Sequence, residues 1–257
     1  MEVGILMEID IPKIVLSGAE KLGVSLSYDA AGLFDLYYKI LSEHAARFNL
    51  TTITDPQGAS RTHFLDSLAL LTVADFQGAD VIDVGSGAGF PGVPIKIAMP
   101  SARLTLLDAT RKRVDFLSHL CAMLGIEARC IHARAEEILH DENFREQFDI
   151  AVSRAVASLN VLCELCLPFV RVGGVFLAMK GVESEKEISD AHTAIETLGG
   201  KFEKKIDYEI PAADVPPTDF AETGSESITH SIVIIRKTKE TPDKYPRRFA
   251  KMTKSPL

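Results

Sequence analysis

At 257 residues the chain exceeds one typical domain of about 150 residues and is too short for several, so one large domain, or a domain with a small subdomain, is expected. Hydrophobic residues make up 46% and charged residues 25%, which is the balance of a packed globular protein and excludes a disordered or fibrous chain. The net charge of -8 argues against a globally basic nucleic-acid binder, and the longest apolar run, 159–170, is interrupted by Asn160, Glu164 and Pro168, short of a membrane span. Acids at Glu2, Glu8 and Asp10 stand where a secretory leader is basic, so a cytoplasmic location is expected.

The first eighty residues read as helices. A short one is expected over 12–22, and Leu33, Phe34, Tyr37, Ile40, Leu41, His44 and Phe48 recur at three- and four-residue spacing along a second. Asp55-Pro56 and Gly58 mark 49–60 as a loop before a third helix over 62–73. From Asp80 the pattern changes to short apolar runs alternating with amphipathic stretches, the mark of βαβ units and a mostly parallel sheet. Strands are predicted at 81–84, 104–108, 128–131, 148–152 and 174–179, with helices at 93–98, 111–124, 135–140, 159–169 and 183–198. Two further strands, 202–210 and 228–236, have no helical pattern between them and predict an antiparallel pair closing the sheet; Val215-Pro216-Pro217 reads as a rigid loop. The expected division is a helical extension over 1–79, an α/β domain over 80–240 and a basic tail over 241–257.

The most informative stretch is Val81 to Gly92, a buried strand followed by glycines at 85, 87 and 89 and then a helix. Glycine permits positive φ and lets a ligand approach the backbone, as a nucleotide-like cofactor requires at the carboxyl end of a first strand. A dinucleotide fingerprint needs glycine at position 90, where this chain has Phe90. Asp108 ends the second predicted strand, where it can accept from ribose hydroxyls or, alternatively, cap the helix that begins at Arg111. A nicotinamide oxidoreductase remains an alternative, although no Tyr-x-x-x-Lys pair occurs in the chain.

Lys112 and Arg113 open a helix, an unfavourable place for cations in the helix dipole, which favours a polyanion contact over a merely solvated face. Arg154 and Lys180 follow the fourth and fifth predicted strands at the same sheet edge; Arg154 could clamp a carboxylate, a phosphate or an ordinary surface partner. From Arg236 onward eight Lys or Arg face only Glu240 and Asp243. Such asymmetry suggests a local polyanion contact, the other reading being a solvated end, and on either reading removal of residues 245–257 is expected to leave the fold unchanged. Cys121, Cys130, Cys163 and Cys166 fit neither a disulfide framework nor a zinc spacing, so buried thiols and no metal are expected.

Asp83 to Gly92, Leu106-Leu107-Asp108, Lys112-Arg113-Val114, Arg134-Ala135-Glu136-Glu137, Ser153-Arg154-Ala155 and Met179-Lys180-Gly181 occur together in order. With Asn49-Leu50-Thr51, His63-x-x-Asp66-Ser67 and Tyr245-Pro246-Arg247-Arg248, they make nearly the whole chain resemble the RsmG family, also called glucose-inhibited division protein B. The resemblance implies a Rossmann-like class I methyltransferase fold with a seven-stranded sheet. It further implies transfer of a methyl group from S-adenosylmethionine to N7 of a guanine in the 530 loop of bacterial 16S ribosomal RNA. On that resemblance Gly85, Phe90, Ala135, Glu136 and Arg154 line the cofactor site, to which the glycine turn adds Gly87 and the ribose argument adds Asp108. Lys112, Arg113, Lys180, Arg247 and Arg248 are the expected RNA contacts, and 16S RNA or the small ribosomal subunit the expected partner of a monomer. No general base is expected. His63 and Asp66 either order the site's entrance or form a local pair, and a non-catalytic RNA-binding module that keeps the fold is the second alternative.

Overall fold

The computed structural model describes residues 9–48, 50–53, 55–182, 184–211 and 228–257. Asn49, Glu183 and the Val215-Pro216-Pro217 loop lie outside the described residues. Helix α1 (Ile11–Lys21) begins at Asp10, whose carboxylate accepts from the Lys13 amide, and α2 (Tyr28–Phe48) follows. The expected loop at 49–60 is corrected from Asp55 onward. Asp55 caps a helix by accepting from the Gly58 amide at 2.6 Å, and Pro56 takes the first helical position, where its missing N–H costs nothing. From there α3 (Pro56–Gly58), a π-helical stretch (Ala59–Leu65), α4 (Asp66–Leu68) and a 3-10 turn (Ala69–Thr72) run on without leaving helical backbone.

The rest alternates: β1 (Asp80–Val84), α5 (Gly92–Ala98), β2 (Arg103–Asp108), α6 (Arg111–Leu124), β3 (Ala128–His132), α7 (Ala135–Ile138), β4 (Phe148–Arg154) and α8 (Leu159–Cys166). Then come β5 (Val170–Gly181), α9 (Glu185–Asp190), α10 (His192–Thr197), β6 (Gly200–Ile210), β7 (Ile228–Lys237) and α11 (Phe249–Lys254). The single helix expected over 183–198 is two short ones, with a turn at Ala191. The seven strands form one sheet in the order β3-β2-β1-β4-β5-β7-β6; β7 runs antiparallel to both its neighbours and the other pairings are parallel. This is the seven-stranded, mostly parallel sheet that the resemblance implies.

Alternate residues of each central strand serve two apolar layers, as a sheet covered on both faces requires. Val81, Leu104, Leu106, Ile150, Leu177 and Ile232 belong to one layer, which α2, the π-helical stretch and α6 complete through Phe34, Tyr37, Phe64 and Leu117. Ile82, Leu107, Ala151, Phe176 and Val233 belong to the other, with α8 and α10. The N-terminal helices therefore share their core with the sheet.

The end of the chain joins the second layer. Tyr245 and Met252 are buried there, Met252 completely, and Arg247 forks onto the buried carboxylate of Glu164 on α8 at 2.6 to 3.0 Å. The expectation that the fold does not need these residues, and the alternative of a merely solvated end, are corrected on these contacts. Charge composition reads the eight cations but not the apolar side of Tyr245, Phe249 and Met252 that holds them down.

Candidate functional site

Strand register decides what meets at the carboxyl edge. Val84 pairs with Leu107 and Asp83 with Val152, so the residues just beyond them, Gly85, Asp108 and Arg154, come level at one edge. β1 lies between β2 and β4 there, so successive connections leave in opposite directions and open a crevice. A cavity of about 410 Å³ fills that crevice, lined by Gly85, Gly87, Phe90, Asp108, Arg113 and Arg154 among the expected residues. Thr51, His63, Ala155 and Val156 complete much of its rim.

The glycines divide the work. Gly85 has φ +79° and Gly87 φ +58°, both in the left-handed region. A Cβ on Gly85 would stand 2.5 Å from the Val156 side chain, whereas one on Gly87 would meet nothing nearer than the Gly85 carbonyl at 3.9 Å. Gly85 thus lets the loop after β4 close in, and Gly87 leaves its backbone open to the cavity. The turn is held from β2: the amides of Gly85 and Ser86 donate to the Leu107 carbonyl at 2.8 and 3.1 Å, and Gly87 donates to Asp108 Oδ2 at 3.0 Å.

Asp108 Oδ1 accepts from the Thr110 amide at 2.8 Å, and Arg113 approaches Oδ2 at 3.6 Å. Thr110, not Asp108, occupies the cap position of α6. A carboxylate offers about four acceptor positions, so Asp108 keeps capacity for hydroxyls entering the cavity. Beneath the turn, buried Asp83 accepts from the Gly92 amide at 2.9 Å through Oδ2, while its Oδ1 has no partner. Burial pushes its pKa up to about 7. Asp83 lies outside the lining of the cavity; the open glycine backbone and the rim acid with spare acceptor positions are what fit a ribose-bearing ligand.

The other wall is aromatic and cationic. Phe90 stacks on Tyr37, with centroids 5.2 Å apart, and on His63 at 4.5 Å; the Arg154 guanidinium lies 5.0 Å from the Phe90 ring centre. Tyr37 also donates to the Ala88 carbonyl at 2.6 Å, fixing the turn from α2. Arg154 donates to Asp66 Oδ2 and to the Thr62 carbonyl, both at 2.8 Å, and faces His63 Nδ1 at 3.4 Å. Asp66, only 2% exposed, accepts in addition from Tyr208 at 2.5 Å and meets His230 Nδ1 at 2.8 Å. Burial works against its charge, but His230 and Arg154 outweigh it and hold the carboxyl below the ordinary range. His63 is pulled down to about 4, first by burial and then by Arg154. It is therefore neutral near pH 7, with Nδ1 accepting from Arg154 and Nε2–H donating to Thr51 Oγ1 at 2.8 Å. Ala155, which follows Arg154, has φ +56°, a strained backbone for a residue with a Cβ.

Other expected residues lie elsewhere. Ala135 and Glu136 start α7 just past β3 and are outside the lining of this cavity; Glu136 faces a second cleft with Arg247 and Arg248. Lys180 is mostly buried and donates to Glu187 and to the Ala157 carbonyl, each at 2.8 Å, so it braces the loop after β4. Lys112 is exposed on the first turn of α6. Sequence reasoning misses Tyr37, Tyr208, His230 and Val156. Tyr37 is visible as a polar tip in an otherwise apolar helical row; the other three carry no local signal. Among the described residues, no cluster of three or more His, Cys, Asp or Glu is placed to hold a metal ion, and no helix is long and apolar enough to cross a membrane.

The sequence profile described as rRNA small subunit methyltransferase G matches residues 31–209. Ribosomal RNA small subunit methyltransferase G of Alkaliphilus oremlandii (strain OhILAs) is 42% identical over 250 residues, 96% of this chain and 99% of that one. The protein of the same name from Acetivibrio thermocellus is 40% identical over 251 residues, 97% and 98% of the two chains. Among solved structures, one described as "Conversion of a Disulfide Bond into a Thioacetal Group during Echinomycin Biosynthesis" superposes with a TM-score of 0.53 at 15% identity. It covers 76% of this chain and 91% of its own, a likeness that bears on the fold alone. Its crevice, glycine turn and near full-length similarity place this chain in the rRNA small subunit methyltransferase G family.

Proposed function

We propose that this chain methylates N7 of a guanine in the 530 loop of 16S ribosomal RNA, with S-adenosylmethionine as the donor. S-adenosylmethionine supplies a methyl carbon on a sulfonium, open to in-line displacement. The observation that carries the choice of N7 is the state of the two bases at the cavity. His63 is neutral, but its acceptor nitrogen is turned onto Arg154; Asp108 is tied to two backbone amides. Neither is poised to remove a proton from an attacking group. Guanine N7 already presents a lone pair as an acceptor in its neutral base, so it needs no base, and positioning alone can lower the barrier by about 7 to 11 kcal/mol.

The residues then have distinct tasks. The backbone at Gly87 admits the donor, Asp108 accepts from its ribose, and Arg154 with Phe90 forms a fixed wall beside the reacting atoms. Ala135 and Glu136 belong to the donor's far side on the resemblance to the family. The exposed Lys112 and Arg248 and the partly exposed Arg113 are the cations that meet RNA phosphates, while Lys180 and Arg247 serve that surface through the loops they hold. The setting is the cytoplasm, and the substrate is 16S RNA, alone or in the small subunit.

The test uses small subunits from a strain lacking this protein, incubated with the purified chain and S-adenosylmethionine. Mass spectrometry of the RNA should then show one new N7-methylguanine, mapping to the 530 loop. Methyl on an exocyclic amine would overturn the N7 assignment, and no incorporation at all would leave a non-catalytic RNA-binding module.

A further inference from the structure

A second cleft, of about 550 Å³, lies outside the glycine-turn cavity, between α7 and the segment 246–250. Arg134, His140 and Arg248 are exposed along it; Glu136, Glu137 and Phe249 complete its working surface. We propose that this cleft binds a single-stranded nucleotide of the RNA substrate next to the methylated guanine. Its phosphate would lie between Arg134 and Arg248, and its base against Phe249 and Glu137. The inference rests on the RNA reading above and extends it to a site of its own.

Three structural observations support it. The cleft is built rather than incidental, because Arg247, one residue from Arg248, is locked by its three short contacts to Glu164 and fixes the course of the wall. That lock consumes Arg247 and leaves its neighbour free: among the described residues the Arg248 guanidinium has no partner, and Arg134 has only Glu136 at 4.0 Å. The cleft is also close to the first cavity. Ala133 donates its amide to the Asp108 carbonyl at 3.2 Å, and Arg134 is the next residue, about 3.8 Å farther on.

The composition of the surface selects the ligand. Two exposed guanidiniums suit an anion, and the half-buried Phe249 ring with Glu137 beside it suits more than a bare phosphate. Single-stranded RNA matches all three parts, since its phosphates seek guanidiniums, its splayed bases stack on aromatic rings, and base amino groups donate to carboxylates.

The experiment compares wild type, the double variant Arg134→Ala/Arg248→Ala, and Lys204→Ala on β6 as a charge control, on small subunits from a strain lacking this protein. In the double variant KM for the subunits should rise roughly tenfold, the loss falling on KM rather than kcat. The log-log salt slope of RNA binding should become shallower by about 0.7, the value for the one single-stranded phosphate that is no longer neutralised. Lys204→Ala should change neither. A second readout needs no variant: 16S RNA carrying 4-thiouridine, photocrosslinked to wild type, should attach within 134–140 or 246–250. An unchanged KM and slope in the double variant, or crosslinks confined to other segments, overturns the cleft. If wild type itself transfers no methyl group to the subunits, the RNA reading has failed instead, which is a separate outcome.

Discussion

Among the described residues two arginines hydrogen-bond to a buried carboxylate, one at the end of β4 and one where the C-terminal segment docks on α8, and the two pairs are built differently. Arg247 meets Glu164 as a closed fork, with the Arg247 backbone amide also donating to Glu164 Oε1 at 2.7 Å. Arg154 gives Asp66 a single bond and spends its remaining reach on Thr62, His63 and the face of Phe90, while Asp66 is shared with Tyr208 and His230. The first pair satisfies itself and fastens a segment. The second is one node in a network that faces a cavity, so its groups remain responsive to what enters. Stability is expected to depend on the first and chemistry on the second, a division that substitutions at each can break or sharpen.

The largest effect belongs to the fork. Arg247→Ala leaves the Glu164 carboxylate, 1% exposed, without its countercharge. Breaking one partner of a buried pair costs about 3 to 5 kcal/mol, which urea unfolding measures. Adding Glu164→Leu should recover much of that loss, since the unpaired charge is then gone. Donor affinity of the folded fraction should stay within twofold of wild type. Failure of the second change to restore stability would mean that the loss comes from Arg247's own bonds, such as the one to the Ser255 carbonyl, rather than from a stranded Glu164 charge.

Next in size is the pH response of the network. His63 has its folded pKa at about 4, below the ordinary value of 6.5. Between pH 6.5 and 4 the unfolded chain takes up a proton that folded His63 refuses, so its contribution to stability falls by about 3 kcal/mol as the pH drops through that window. Asp83 works in the opposite sense. Its folded pKa of about 7 lies above the ordinary 3.8, so folding gains stability as pH falls from 7 towards 3.8. The two act in opposite directions in wild type, and the difference between wild type and His63→Gln isolates the first. His230, raised by its bond to Asp66, contributes stability that is fully present below pH 6.5 and lost as pH rises through its folded pKa, outside that window. Equal pH dependence of wild type and His63→Gln from pH 6.5 to 4 would mean that His63 is not held neutral by the network.

The contrast also explains what the sequence can and cannot reveal. Periodicity locates all seven strands, and the glycines with Asp108 mark the cavity, because both signals are local: each strand carries its own apolar run, and the turn carries its own glycines. The network around Asp66 joins residues 62 to 66, 154, 208 and 230, which only the pairing of β4, β5, β7 and β6 brings together. Lys180 illustrates the same limit. Its place after β5 is legible, but its partner Glu187 sits on α9, and that pairing turns an expected RNA contact into a brace. Asp55-Pro56 misleads for a different reason, since the same dipeptide that opens a turn also caps and starts a helix.

Asp108→Ala removes the rim acid of the cavity. The change should weaken S-adenosylmethionine binding by about 1 to 3 kcal/mol, the range for hydrogen bonds to a charged group. Urea unfolding should show a separate stability loss of about 1 to 3 kcal/mol, because the Gly87 and Thr110 amides lose their acceptor, while calorimetry reads the affinity. An affinity loss of only a few tenths would assign Asp108 to holding the Gly87 and Thr110 amides and nothing more.

The smallest expected effect is the most local probe of the cavity. Gly85→Val is a poor choice, since its Cβ would collide with Val156 and move the loop after β4 whether or not a donor binds there. Gly87→Ala adds one methyl group where the protein itself offers no obstacle within 3.9 Å, at φ +58°, a conformation that costs a non-glycine residue about 1 to 2 kcal/mol. Stability should therefore fall by about 1 kcal/mol, while donor affinity falls severalfold because the methyl group occupies the space that the backbone leaves open. Gly78→Ala supplies the comparison: its φ of +66° is similar, its Cβ also meets nothing, and it lies before β1, at the far end of that strand from the cavity. It should show the same loss of stability with unchanged affinity. If both variants bind the donor as wild type does, the open backbone at Gly87 faces solvent rather than cofactor, and donor binding would rest on Asp108 and the Arg154 wall.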